Sequence, residues 1–156
     1  SSVDGLIAAQ ARKVDALKAH KKGLMQQLFP TVGETTPALR FPEFRHAPEW
    51  KEKTIGETCD SYSGGTPSTG TKEYYGGDIP FIRSAEIASS STELFLTEVG
   101  LSNSSAKLVQ AGDVLVALYG ANSGDVALAK INGAINQAIL CLQSSESNEF
   151  LYHFLD

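Results

Sequence analysis

Between residues 3 and 28 apolar side chains return on a heptad. Val3, Ile7, Val14, Leu17, Leu24 and Leu28 fill six of eight seam positions, and Gln10 and Lys21 fill the other two. No proline interrupts the stretch, and only Gly5 and Gly23 depart from good helix formers. The pattern predicts a single helix of about 40 Å at 1.5 Å per residue. Ile7 and Val14 fall at a, and Leu17 and Leu24 at d, the preference of two-stranded coiled coils. Such a helix overruns a domain of ~110 residues, whose diameter is roughly 30 Å. The seam is therefore expected to pair with a second helix, from another copy or another protein. The competing expectation is that it packs on this chain's own domain.

Pro30 ends the helix by disfavouring helical geometry at Phe29. Four of the six prolines (Pro30, Pro37, Pro42 and Pro48) then fall within nineteen residues, so 30–50 reads as an extended linker. Leu39, Phe41, Phe44 and Trp50 are too apolar for a free tether, and are expected to lay the linker along the following domain.

From residue 51 onward the pattern changes to short apolar runs between turn signals. Residues 53–63 read as a first strand or short helix, 64–67 as an irregular loop, and 74–78 as a turn. Residues 79–83 and 94–97 read as short strands. Residues 97–105 read as a helix onset capped by Ser102 or Asn103. The clearest feature is 113–131, a hairpin turning at 121–124, with Val114 and Val116 on one face and Leu115 on the other. One more strand is expected at 135–142 and a helix from 148. The chain stops one or two turns into that helix, a poor place for a domain to end. Asp78, Asp113 and Asp125 sit beside glycines and read as turn residues. The fold class is α+β, a long N-terminal coiled-coil helix followed by a mainly β domain with short helices.

Charge narrows the function. The net −5 divides into +3 over residues 1–30, where Arg12, Lys13, Lys18, Lys21 and Lys22 face Asp4 and Asp15. The rest carries −8, from eight basic against sixteen acidic residues. A nonspecific nucleic-acid binder needs many cations facing phosphates, and this body lacks them. The cations of the arm read as a solvated face, or as contacts to DNA phosphates or an acidic partner. No apolar run reaches the roughly 18 residues of a membrane span, and the first thirty residues do not read as a signal peptide. Cys59 and Cys141 form neither a metal spacing nor a disulfide framework, which points to a reducing, cytoplasmic setting.

Catalysis has no constellation to rest on. His20, His46 and His153 are scattered over arm, linker and last helix, away from any ligand set. Gly120–Gly124 resembles half of a phosphate-binding loop, but no Gly-Lys-Ser/Thr follows, so no nucleotide loop is expected. No enzyme activity, metal or cofactor is expected.

The residues carry a resemblance beyond these patterns. The helix end, Lys13 to Leu17 and Lys21 to Pro30, and then Pro37 to Phe44, resemble the spacer helix and linker of type I restriction-modification specificity subunits. Four further runs are similar to motifs of that family's target recognition domain. They are Ser63-Gly64-Gly65-Thr66-Pro67-Ser68, the stretch from Tyr74 to Arg83, Ala117 to Gly124, and Ile135-Asn136-Gln137-Ala138. They follow the family's order over nearly the whole chain.

The resemblance implies a non-catalytic, DNA-reading component of a methyltransferase complex. In such subunits two recognition domains each read half of a split double-stranded site, and two long antiparallel helices set their spacing. The helices dock the modification subunit, which carries the S-adenosylmethionine chemistry, and the restriction subunit joins through the complex. The implied division is 1–29 spacer helix, 30–50 linker and 51–156 partial target recognition domain. The second reading is a truncated subunit that only dimerises through the N-terminal helix or binds a partner. Motifs shared by members with different targets do not read bases, so Gly64, Gly65, Tyr119 and Gly120 are expected to shape loops or touch phosphates or a partner. Lys72, Arg83, Ser84, Lys107 and Asn122 are the DNA-contact candidates by side-chain chemistry.

Overall fold

The computed structural model describes residues 2–156. The chain divides into two compact units, one ending at Glu52 and the other running from Lys53 to Asp156. The first holds α1 (Ser2–Leu28), the single helix the heptad requires, and no residue of it is buried. The helix ends in Phe29 N–H donating to the Met25 carbonyl, just before Pro30. The linker's apolar residues find partners at this end of α1. Leu39 donates its N–H to the Gln27 carbonyl, Trp50 donates to Thr35, and the Phe29 and Trp50 rings meet at 5.7 Å.

The second unit begins with α2 (Ile55–Thr58), which runs directly into β1 (Cys59–Ser63). Both alternatives for 53–63 are thus present in sequence. Glu57 folds back on the Thr54 N–H and hydroxyl to cap that turn, at 2.7 and 2.8 Å. β2 (Tyr75–Ile82) pairs with β3 (Leu94–Leu96), and α3 (Glu98–Ser102) follows. Then come β4 (Lys107–Val109), β5 (Val114–Ala117), β6 (Val126–Leu128), β7 (Gly133–Ile135), β8 (Ile139–Ser144) and α4 (Asn148–Leu155). The strands form two four-stranded sheets, ordered β1-β8-β5-β6 and β3-β2-β7-β4, the second containing the parallel pair β2–β7.

The period of two in β5 organises the core. Leu115 and Ala117 face Ile82, Ile87, Val109, Ile135 and Cys141, joining the two sheets. Val114 and Val116 face the opposite way, toward Leu142 and Leu151 of α4. The outer side of the second sheet carries Phe81, Leu96, Ala106 and Ala134, with Leu101 of α3 packed on them. Burial on both faces explains why β5 reads as an unbroken apolar run. The hairpin register is Val114↔Leu128, Leu115↔Ala127 and Val116↔Val126, with the two faces as the alternation predicts.

Several local expectations need correction. Residues 74–78 do not form a turn. Tyr75 and Ile79 both face Leu96, so Gly76, Gly77 and Asp78 make a bulge inside one strand, with Gly76 at φ +83°. Asp78 is accordingly a strand residue. The helix 98–102 is capped by Thr97, whose hydroxyl accepts from the Gly100 N–H at 3.0 Å; Ser102 and Asn103 stand at its far end. The strand expected at 135–142 is split by the turn at Asn136, whose Oδ1 accepts the Ala138 N–H. Asp113 does close a turn, accepting from the Gln110 N–H, but it is buried and also receives the Gln143 amide at 3.0 Å.

Candidate nucleic-acid interface

Three of the resembling runs meet at one end of the first sheet. The pairings Ser63↔Leu140 and Ala117↔Ile139 place the end of β1, the start of β8 and the end of β5 side by side. Loops 64–67, 136–138 and 118–125 therefore leave the sheet together. Polar bonds tie them. Ser63 Oγ donates to the Gln137 carbonyl at 3.2 Å and to the Ile139 carbonyl at 2.8 Å. Thr66 Oγ1 donates to Gln137 Oε1 at 2.7 Å, and the Leu118 N–H donates to the Ala138 carbonyl at 2.8 Å.

Glycine is needed where the loops are densest. A Cβ on Gly64 would overlap the Ile135 carbonyl, and one on Gly65 would overlap the Ser105 side chain. Gly120 and Gly124 take φ of +94° and +92° at the two ends of the hairpin loop. Just before them the chain presents Tyr119, half exposed, beside Leu118. The Gln137 amide nitrogen has no partner among the described residues, so this edge offers a donor pair, a phenol and backbone groups to a ligand.

The contact candidates separate into three places. Ser84 and Asn122 line one cavity of about 450 Å³, together with Ile87, Asp125, Leu155 and Asp156. Asn122 donates to Asp125 there at 2.9 Å. Two carboxylates make this cavity a poor phosphate site. Lys72 sits in a 3₁₀ turn before β2, and Lys107 opens β4 opposite Ile135; neither lines the cavity. Neither has an ion pair among the described residues. Lys53, by contrast, pairs with Glu146 at 2.7 Å.

Arg83 is the most constrained of the set. Its Nε and Nη2 donate to the two Glu86 oxygens at 3.0 Å each, and Nη2 also reaches Glu93 at 2.7 Å. Thr92 and the Glu93 N–H complete the network on Glu86. Burial pushes the Glu86 carboxyl up, but the Arg83 guanidinium and the backbone N–H groups of Glu93 and Arg83 outweigh it and hold the group down at about 2. The arrangement pins the serine-rich stretch 88–92, and Arg83 keeps Nη1 outside it.

Thr66 and Gln137 are site residues that local patterns miss. They lie 71 positions apart and carry no spacing that links them. Among the described residues no group of three or more His, Cys, Asp or Glu could hold a metal, and no helix is long and apolar enough to cross a membrane.

The first unit holds a second feature. Leu28, Phe29, Leu39, Phe41, Phe44 and Trp50 line an apolar groove of about 420 Å³. Arg40 shapes it by donating to the Phe44, Ala47 and Pro48 carbonyls. Along α1 the seam residues Val3, Ile7, Val14, Leu17 and Leu24 are 39–63% exposed.

Comparison with known proteins gives one consistent picture. Residues 47–156 match the type I restriction modification DNA specificity domain. The chain is 32% identical over 113 residues to the MjaIX specificity subunit of Methanocaldococcus jannaschii, covering 67% of this chain and 26% of that protein. It is 30% identical over 116 residues to the EcoR124I/EcoR124II specificity subunit of Escherichia coli, covering 69% and 28%. The chain thus spans about a quarter of the length of these relatives. The same fold is found in the HsdS subunit of Thermoanaerobacter tengcongensis, with TM-score 0.59 and 21% identity over 96% of this chain and 37% of that one. A chain from a type I restriction-modification assembly gives TM-score 0.56 at 20% identity, with the same coverage. By the match over 47–156 and by these relatives, the chain belongs to the type I restriction-modification specificity family.

Proposed function

We propose that this chain is a non-catalytic, target-reading part of a type I restriction-modification specificity subunit. In this reading 1–29 is a spacer helix, 30–50 a linker and 51–156 part of a target recognition domain that reads half of a split double-stranded DNA site. The modification subunit docks on the helical side and the restriction subunit joins through it. The observation that carries the reading is the specificity-domain match over 47–156, joined to the meeting of its motif loops at one sheet end. Lys72 and Lys107 supply phosphate contacts, while Ser84, Asn122 and the free Nη1 of Arg83 lie among the groups that face the duplex. The loops of Gly64, Gly65, Tyr119 and Gly120 hold the frame.

One observation favours a second reading, a subunit-binding module that does not read DNA. Lys53–Asp156 carries five Lys/Arg against twelve Asp/Glu, net −7, and two of the five cations are already paired with carboxylates. DNA binding by the chain alone is therefore expected near or beyond the nonspecific range of ~10⁻⁴–10⁻⁶ M. The deciding measurement is binding of the purified chain to the modification subunit, with and without duplex DNA. DNA-dependent complex formation that Lys72→Ala and Lys107→Ala weaken supports the first reading. A complex indifferent to DNA and to both substitutions supports the second.

A further inference from the structure

Arg83 is shared unequally between two carboxylates, and the division follows the geometry of its guanidinium. A guanidinium has two forks that fit a pair of acceptors. One runs along its side, from Nε–H to the nearer terminal nitrogen. The other lies across its end, between the two terminal nitrogens. Glu86 takes the side fork, receiving Nε and Nη2 at 3.0 Å each. Glu93 takes half of the end fork, accepting from Nη2 at 2.7 Å. Nη1, the other half of that fork, has no partner among the described residues.

The two carboxylates are not held alike. The Glu86 side chain is 12% exposed and also accepts the backbone N–H groups of Arg83 and Glu93, at 3.1 and 3.0 Å. It is fixed before any ligand arrives, and it fixes the plane of the guanidinium. The Glu93 side chain is 80% exposed. An exposed ion pair is weak because water competes for both partners. Glu93 can therefore turn into solvent, whereas Glu86 cannot move without leaving its N–H donors unpaired. With Glu93 turned away, the end fork presents two parallel N–H groups to a pair of acceptors on one ligand. Two oxygens of a phosphate, or O6 and N7 of a guanine, are such pairs on DNA. A ligand that places both acceptors offsets the lost Glu93 bond. A single, loosely placed phosphate meets the Glu93 carboxylate instead, so the occupied fork discriminates against it.

We infer that Arg83 contacts DNA through its end fork, with Glu86 as the positioning residue and Glu93 as a displaceable occupant of that fork. The inference rests on the DNA-reading role proposed above, and adds which edge of Arg83 is used and what competes for it. Phenylglyoxal, which condenses with the two terminal nitrogens of an arginine, tests the occupancy without DNA. In the parent chain Arg83 should react several-fold more slowly than the exposed Arg12, and Glu93→Ala should raise its rate, as peptide mass spectrometry reads. Duplex binding is then measured by fluorescence anisotropy on a pool of random-sequence duplexes, with the modification subunit present. Glu93→Ala should tighten binding roughly fivefold, and the gain should vanish in an Arg83→Ala background. Glu98→Ala removes an exposed carboxylate elsewhere and should give little gain. Glu86→Gln should weaken binding although it too removes a negative charge, and opposite signs at two acids exclude bulk charge as the cause. Sequencing the retained duplexes separates the acceptors. If Arg83→Ala relaxes the choice at one base pair the acceptor is a guanine, and if it weakens all sequences alike the acceptor is a phosphate; either result supports the inference. Equal phenylglyoxal rates at Arg83 with and without Glu93, or a gain from Glu93→Ala that survives Arg83→Ala, overturn it. Reactivity that rises as expected while no variant retains duplex overturns the DNA-reading role, and with it the acceptor assigned to the fork.

Discussion

Thr66 and Gln137 are joined side chain to side chain at 2.7 Å across 71 residues of sequence, and the bond lies on the surface. It links the loop leaving β1 to the turn entering β8. It acts on loop geometry more than on the core. Thr66→Val should cost about 0.5–1.5 kcal/mol of stability in urea titration, the worth of one ordinary hydrogen bond. Any partner or DNA binding at this edge should fall by more than that stability change accounts for.

Gly64 gives a sharper contrast with Gly5. A methyl group at Gly64 meets the Ile135 carbonyl, which belongs to β7 and cannot swing away, whereas Gly5 lies on α1 with open space around it. Gly64→Ala should destabilise the second unit by about 2 kcal/mol or more. Gly5→Ala should raise helicity and stabilise α1 by up to ~1 kcal/mol. Circular dichroism melts of the two variants read both signs.

Asp113 is a buried carboxylate held by the Gln110 N–H and the Gln143 amide. Gln143→Leu removes one partner and leaves the buried carboxyl oxygens short of a donor. The expected loss is about 2–3 kcal/mol. Double replacement, Asp113→Leu with Gln143→Leu, should recover part of it, which a thermodynamic cycle measures.

The Arg83–Glu86 pair predicts an acid dependence. Glu86 has its carboxyl held near 2 in the folded chain, against 4.5 ordinarily. A lowered folded value means the stabilisation is complete above about 4.5 and is lost as pH falls toward 2. Arg83 is partly open to solvent, so screening limits the effect to about 1–2 kcal/mol. Glu86→Gln should be less stable than the parent at neutral pH, and the gap should close between those two values in a series of melts.

The two thiols should differ in reactivity. Burial pushes Cys141 up to about 11, while Cys59 is only half-buried. At pH ~8 iodoacetamide should modify Cys59 and spare Cys141 until the domain unfolds, as peptide mass spectrometry would show.

Elements whose signal is local were legible in the sequence. The heptad fixes α1, the run Val114 to Ala117 fixes β5 and its hairpin, and Phe150, Leu151, Phe154 and Leu155 mark α4. What local pattern misses depends on distant partners. The glycines 76 and 77 read as a turn because their bulge exists only against Leu96. β4 is three residues long and is a strand only because Gly133 to Ile135 lie beside it. The site divides the same way. Resemblance picked out the loops, but their meeting is made by bonds spanning 71 to 76 residues. Arg83 reads as a DNA-contact candidate, and the pattern shows neither the bidentate bond to Glu86 three residues on nor the return of Glu93 onto it.

The order of the first sheet has a consequence for how the chain comes off the ribosome. β8 sits between β1 and β5, so β1 has no neighbour in this sheet until β8 has been made. The sheet cannot close before synthesis reaches Ser144, the partner of Cys59 at the far end of the pairing. Contacts so distant make for slow folding, and an unpaired β1 edge is open to other chains in the interval. Synthesis halted in the turn at 136–138 would leave a nascent chain that holds the β5–β6 hairpin but has no β8 to bring β1 into the sheet.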